Sequence, residues 1–305
     1  MNTPKMDLRA RVESGNRILL AEVSVDARAD AAAVRQLGQR YAGKVHAVGV
    51  SDNRDRVGMA AMAAASLLAG QGVETILHVT TRDRNRIALV SEALGARALG
   101  IQNILCTSGT HQTLGHFRAA KNVYDVDVVQ LLQSFANLSQ DASLVGEAGI
   151  PGTSPFCLGG VATPDADPME LQVMRLGKKA AAGAAFLITH PVYDLERFAA
   201  WWSEVTRRGI QEKTAIVAGI QALGDAELEE LRGDKRPRPR IPDAVVQQVA
   251  SKPDAAARQR AAVDLALETI KRLSDLKGLR GFCVSVDGSH DAALEIIEKS
   301  GLGKD

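Results

Sequence analysis

Five polar positions fall at the ends of short apolar runs. Glu22 closes RILLAEVS (residues 17–24), Ser51 closes VHAVGVS, and His78 sits inside ETILHVTT. Ser108, Gly109 and Thr110 follow NILC, and His190 follows FLIT. A carboxyl, hydroxyls and two imidazoles brought to one place could hold and move protons. Strand alternation puts Ile18, Leu20 and Glu22 on one face, so Glu22 shares a side with apolar residues. Partial desolvation there predicts a raised pKa, which suits a general acid. Read alone, Glu22 is equally compatible with a solvated strand end.

The elements that must carry these groups alternate throughout. Apolar periodicity predicts strands at 17–24, 45–51, 74–80, 102–107, 156–162, 185–190, 213–219 and 279–286. Helices are predicted at 28–42, 55–71, 84–99, 126–140, 168–182, 194–208, 254–276 and 290–300, with a Gly-, Pro- and Ser-bearing loop over 143–155. Eight β-α units in 305 residues point to an α/β fold, a single-domain (β/α)8 barrel spanning 1–305 with residues 1–15 as an N-terminal extension. In such a barrel catalytic groups gather at the carboxyl ends of the strands, where these five positions fall. No GxGxxG follows the first strand and no GxxxxGK[ST] occurs, so the nucleotide-binding open-sheet folds lack their phosphate loops. Gly159-Gly160 inside a strand predicts close approach of the backbone, with a ligand as one candidate.

Composition narrows the function classes. Thirty-seven basic and 36 acidic residues leave a net charge of +1, which argues against nucleic acid or an acidic membrane surface as partner. Apolar runs are strand-sized, and MNTPKMDLRARVESGNR has no hydrophobic signal core, so a cytoplasmic protein without membrane contact is expected. The three cysteines, Cys106, Cys157 and Cys283, are far apart and lack metal-ligand spacing; no metal site is expected. His46, His116 and His290 read as structural or surface residues.

The run HVTTRDRNRIALVSEALGARALGIQNILCTSGTHQ, followed by AKNVYDVDVVQLL, resembles the methylenetetrahydrofolate reductase family, in particular the form of anaerobic and acetogenic bacteria. The likeness continues through RLGKKAAAGAAFLITHPVYD (Arg175 to Asp194), the AGI turn (Ala218 to Ile220), RIPD (Arg240 to Asp243) and IIEKSGL (Ile296 to Leu302). The resemblance implies a barrel holding a non-covalent flavin, FAD or alternatively FMN, that reduces 5,10-methylenetetrahydrofolate to 5-methyltetrahydrofolate in one-carbon metabolism and methionine biosynthesis. It implies Glu22 as the general acid that opens the substrate's imidazolidine ring to an iminium cation. It implies Ser51, His78, Ser108, Gly109, Thr110, Tyr124, Ala162 and Lys179 around the flavin, and Glu22, Thr110, His190 and Gln221 around the substrate. NAD(P)H or an electron-donating partner subunit would supply electrons, and a homo-oligomer is expected.

The chain departs from the family pattern where it matters. Thr110 replaces an aspartate, which should raise the flavin potential and weaken cation stabilisation. His190 replaces a glutamine, VSVDAR replaces a proline-bearing segment after Glu22, Ala162-Thr163-Pro164-Asp165 replaces an aromatic or Asn-Pro segment, and Gly219-Ile220-Gln221-Ala222 lacks the usual proline. Two alternatives therefore stand beside the reductase: a catalytically weak or inactive paralogue serving a larger redox complex, and a non-redox pterin-binding barrel. GDKRPRPRIP (Gly233 to Pro242) reads as a proline-stiffened solvated loop, with attraction of a polyglutamate tail as the alternative.

Overall fold

The computed structural model describes residues 6–54, 56–138, 141–142, 147–148, 155–225, 228–229, 241–286 and 289–303. Eight parallel strands close on themselves: β1 (Ile18–Val23), β2 (Ala47–Val50), β3 (Thr75–Thr80), β4 (Asn103–Thr107), β5 (Cys157–Ala162), β6 (Phe186–Pro191), β7 (Ala215–Gln221) and β8 (Leu279–Val286). Each pairs with the next in sequence, and β8 returns to β1 with Ile18 opposite Gly281 and Glu22 opposite Ser285. Gly281 makes that closure possible. Its φ is +144°, and a Cβ there would lie 1.8 Å from the carbonyl oxygen of Ile18.

Helices α2 (Ala31–Tyr41), α3 (Ala61–Ala69), α4 (Arg86–Ala98), α5 (Val128–Ala136), α6 (Met169–Ala181), α7 (Leu195–Arg207), α8 (Asp243–Ala250), α9 (Ala255–Ser274) and α10 (His290–Ser300) lie outside the barrel. Sequence periodicity had not separated α8 from the charged stretch before it. Helix starts are written locally: Asp30, Asn85, Asp127, Asp194, Asp254 and Ser289 each accept a hydrogen bond from a first-turn N–H. A further short helix, α1 (Leu8–Glu13), precedes β1. Its Leu8 joins the barrel-interior cluster of Ile18, Leu20, Ile76, Leu105, Phe186 and Val217, and the Leu8 N–H donates to the Glu74 carboxylate at 2.9 Å.

Alternation sorts the strands into two faces. Odd-even partners such as Leu19, Ala21 and Val23 join the layer between strands and helices, while Ile18 and Leu20 point inward. Phe186, the aromatic ring in the interior cluster, occupies the space beside Gly159, where a Cβ would come within 2.3 Å of it. The close approach expected at Gly159-Gly160 is therefore made by a core side chain, with no ligand needed at Gly159. The three thiols are free and buried. Burial raises all three, Cys157 to about 12, so they behave as inert core groups. Among the described residues no helix is long and apolar enough to cross a membrane. Most of Gly233 to Pro242 lies outside the described residues.

Candidate active site

Inward positions change character along each strand. Below, Ile18, Leu20, Ala47, Ile76 and Ala215 fill the barrel; above, at the carboxyl ends, the same faces present Glu22, Ser51, His78, Thr107, His190, Gln221 and Ser285. These residues line one cavity of ≈ 500 Å³, within the usual size of a small-molecule site. Ser108, Gly109, Thr110 and Lys179 line it as well. Two expected residues sit apart from its lining. Ala162 points outward into the strand–helix layer while its neighbours Val161 and Thr163 face the cavity. Tyr124 stands at the rim with a left-handed φ of +43° and stacks on His111, a lining residue, at 6.5 Å between ring centres.

Glu22 lines this cavity. Its carboxylate accepts a 2.9 Å hydrogen bond from the Ser51 hydroxyl. The sequence predicted a raised pKa, and the structure reverses that direction. Burial does push the carboxyl up, but His78, Arg54, the Ser51 hydroxyl and His190 outweigh it and hold Glu22 below the ordinary carboxylate range. His78 is itself held down: burial disfavours its cation more than Glu22 and Asp52 favour it. An imidazole kept neutral lends Glu22 little attraction at neutral pH, which leaves Arg54 and the Ser51 hydroxyl to favour the carboxylate. His78 Nε2 has no hydrogen-bond partner among the described residues, and it lies over Gly49, where a Cβ would come within 2.8 Å of it.

The loops around the cavity are tied by residues that sequence reasoning left without a task. Arg82 donates to the carbonyls of Asn53 (2.8 Å) and Thr110 (2.7 Å) and to both Asp83 carboxylate oxygens (2.7 Å each). One guanidinium thus fixes the loops after β2 and β4, including the Ser108–Thr110 turn. Asp52, with a fully buried side chain, accepts from the Thr80 N–H and hydroxyl at 2.9 Å and from Arg84 at 2.5 Å. The signal was present in the RDR run of HVTTRDRNR, since two arginines at a strand end rarely stand unpaired near a buried site.

Lys179 reaches the mouth from α6 and donates to the Val161 carbonyl at 2.5 Å. Burial, reinforced by Arg175, brings its pKa down to about 8. Across the barrel, a register shift between Ile188 and Pro191 re-aims the end of β6. The Thr189 hydroxyl accepts from the Gly219 N–H at 2.9 Å and donates to the His190 carbonyl at 2.7 Å, holding the distortion. A Cβ on Gly219 would stand 2.4 Å from the Thr189 carbonyl oxygen, so that crossing requires glycine. His190 then turns its Nδ1 to the Asp165 carboxylate at 3.2 Å.

A family model described as methylenetetrahydrofolate reductase matches residues 32–301, from the second helix to the last, and so begins after Glu22. A probable methylenetetrahydrofolate reductase (NADPH) of Caenorhabditis elegans is 26% identical over 264 residues, 83% of this chain and 36% of that protein. Methylenetetrahydrofolate reductase 2 of Saccharomyces cerevisiae is 29% identical over 158 residues, 50% of this chain and 24% of its own length. The chain thus spans about a third or less of the length of these relatives. Among solved structures, an uncharacterized protein from Clostridium thermocellum that binds two copies of 5-methyl-5,6,7,8-tetrahydrofolic acid superimposes with a TM-score of 0.64 at 11% identity, covering 96% of this chain and 98% of the other. EDTA monooxygenase from Chelativorans sp. BNC1 gives 0.56 at 11% identity over 93% and 92%. Likeness at that identity is one of fold. The extent of the family match decides the matter: the chain belongs to the methylenetetrahydrofolate reductase family.

Proposed function

We propose that the chain binds FAD, or FMN, at the barrel mouth and reduces 5,10-methylenetetrahydrofolate to 5-methyltetrahydrofolate, with Glu22 as the proton donor. The observation that carries this reading is a carboxylate, Glu22, that lines the cavity at the strand carboxyl ends and accepts a hydrogen bond from Ser51 there. Two features fit a flavin. His78 keeps a buried ring nitrogen without a partner among the described residues, and Lys179 brings a half-buried cation to the mouth, suited to a phosphate or ribityl group. Ser51, Ser108, Gly109 and Thr110 would line the ring system, with Tyr124 at the rim and the backbone of Ala162 beside Lys179.

When bound, the flavin supplies the hydride. The protein's own task is the proton. Opening the five-membered ring requires an N–H bond at N10 of the substrate, and Glu22 is the acid placed to provide it. Thr110, His190 and Gln221 would hold the pterin, His190 through a neutral ring nitrogen as an amide would. Electrons would come from NAD(P)H or a partner subunit.

One observation favours a second reading. Glu22 is held ionised, and a pterin-binding paralogue with weak or no reductase activity would need nothing else from it. The visible spectrum of the purified protein with added FAD separates the two. A flavin band that bleaches on adding 5-methyltetrahydrofolate supports the reductase run in reverse. A protein that binds the folate but refuses both flavins leaves the second reading.

A further inference from the structure

We propose that Asp165 is a positioning residue that locks the tautomer of His190, so that the cavity takes its pterin through an N–H donor and not through a carbonyl oxygen. The inference rests on the folate-reducing reading and specifies how its substrate is recognised. It stands on one hydrogen bond and on the way both partners are held. His190 Nδ1 lies 3.2 Å from the Asp165 carboxylate. A carboxylate only accepts, so in the neutral ring the hydrogen sits on Nδ1 and Nε2 carries a lone pair. The His190 side chain is 36% exposed and lines the cavity, whereas that of Asp165 is 16% exposed and stands outside the lining. Nδ1 is thus committed to the wall, and Nε2 is the ring nitrogen left for a ligand. Among the described residues Nε2 has no hydrogen-bond partner.

Both partners are held by their backbones. The register shift between Ile188 and Pro191 and the Thr189–Gly219 hydrogen bond set the His190 backbone, and a Cβ on Gly219 would stand 2.9 Å from the His190 carbonyl oxygen. On the other side, Arg197 of α7 donates to the carbonyls of Pro164 (3.3 Å) and Ala166 (3.1 Å), which flank Asp165. Arg197 also donates to the Asp167 carboxylate at 2.6 Å, so one guanidinium clamps the loop that carries Asp165. Both residues of the pair stand where the sequence departs from the family pattern, so the pair belongs to this chain. A free neutral histidine ring prefers its hydrogen on Nε2. The carboxylate inverts that preference and leaves an acceptor where a donor would otherwise stand. A pterin offers both kinds of group: N–H donors at its 2-amino group and N3, and an acceptor at its 4-oxo group. The locked ring pairs with the donors, and it would face the oxo group with two lone pairs opposed.

The test is ¹⁵N NMR of the full chain labelled at histidine, at about pH 8.5, roughly two units above the ordinary imidazole pKa. His190→Gln assigns the signals by their loss. In the ligand-free wild type, Nδ1 of His190 should give a hydrogen-bearing, pyrrole-type resonance and Nε2 a hydrogen-free, pyridine-type one. Asp165→Asn, which keeps an acceptor oxygen, should retain this pattern, and Asp165→Ala should move the hydrogen to Nε2. On adding 5-methyltetrahydrofolate, the wild-type Nε2 resonance should shift upfield and stay hydrogen-free, as an acceptor does. By calorimetry, Asp165→Ala should bind 5-methyltetrahydrofolate about 10-fold more weakly, and Asp165→Asn within about 3-fold of wild type. A ligand-free wild type with its hydrogen on Nε2, or an Nε2 that gains a hydrogen on binding, would overturn the proposal. So would an Asp165→Ala variant that keeps either the wild-type tautomer or the wild-type affinity. The tautomer is read without ligand. A wild type with the locked ring that fails to bind 5-methyltetrahydrofolate would therefore overturn the folate-reducing reading and the choice of pterin, not the lock.

Discussion

The Ser51 hydroxyl donates a 2.9 Å hydrogen bond to the Glu22 carboxylate, joining the carboxyl ends of β1 and β2 in the lining of the cavity. This bond favours the ionised acid, so it works against proton donation while fixing the carboxylate's position. Ser51→Ala should therefore raise the Glu22 pKa and move the corresponding limb of the rate–pH profile upward by about one pH unit. Glu22→Gln should bind flavin as before yet lose folate turnover by about 10²-fold or more. Rate measurements across pH for both variants check this; equal turnover in Glu22→Gln would remove the residue from the chemistry.

Arg82 binds two loop carbonyls, those of Asn53 and Thr110, at 2.8 and 2.7 Å. Arg82→Ala should cost about 2 kcal/mol in stability and weaken FAD binding by loosening the Ser108–Thr110 turn. Arg86, in an exposed pair with Asp125, is the control, and Arg86→Ala should change stability by less than about 0.5 kcal/mol. Urea unfolding and flavin fluorescence titration measure both.

Phe186 fills the gap above Gly159 inside the barrel. Phe186→Ala should destabilise by about 3–5 kcal/mol, and Gly159→Ala should be comparably disruptive because its Cβ would overlap the ring. The double variant should recover part of the loss, since the new methyl enters the space the ring leaves. Strictly additive urea midpoints would show that the two positions do not share that space.

His78 links stability to pH. Its folded pKa lies below the ordinary imidazole value of 6.5, so the unfolded chain binds its proton first as pH falls. Stability should decline below about pH 6.5 and stop declining on this account once the folded imidazole also titrates. Glu22 adds a second loss at lower pH: its depressed pKa gives stability above the unfolded value, which disappears as pH falls through the folded one. His78→Gln should flatten the upper part of the curve. An identical pH dependence in that variant would locate the titration elsewhere.

Lys179 acts with the same sign on the alkaline side. Its pKa of about 8 lies below the ordinary 10.5, so the unfolded chain holds more protons between these values and stability should rise with pH across that window. Lys179→Met should abolish the rise. If Lys179 meets a flavin phosphate, FAD affinity in the unaltered protein should fall as pH passes about 8 and should not do so in the variant. Calorimetric titration across pH tests both statements.

Alternation along β1 placed Glu22 on an inward face from local pattern alone, because a strand's side-chain period depends only on its backbone, and His78 and His190 were legible as polar groups at strand ends. The same reasoning could not see that Asp165 would meet His190, or that Arg82 would clasp the carbonyls of Asn53 and Thr110. Those contacts join loops that are neighbours only after the barrel closes. The Glu22 pKa shows the limit best. Burial was readable from its apolar neighbours, and burial alone argues for a raised value. The sign turned on Arg54, Ser51, His78 and His190, which arrive from three other strands and their loops. By itself the sequence determined the barrel, the order of its strands and which residues stand at their carboxyl ends, since these follow from periodicity, helix caps and topology. Only the tertiary structure decided the charge state of those residues, because electrostatic energy depends on distances across the barrel mouth.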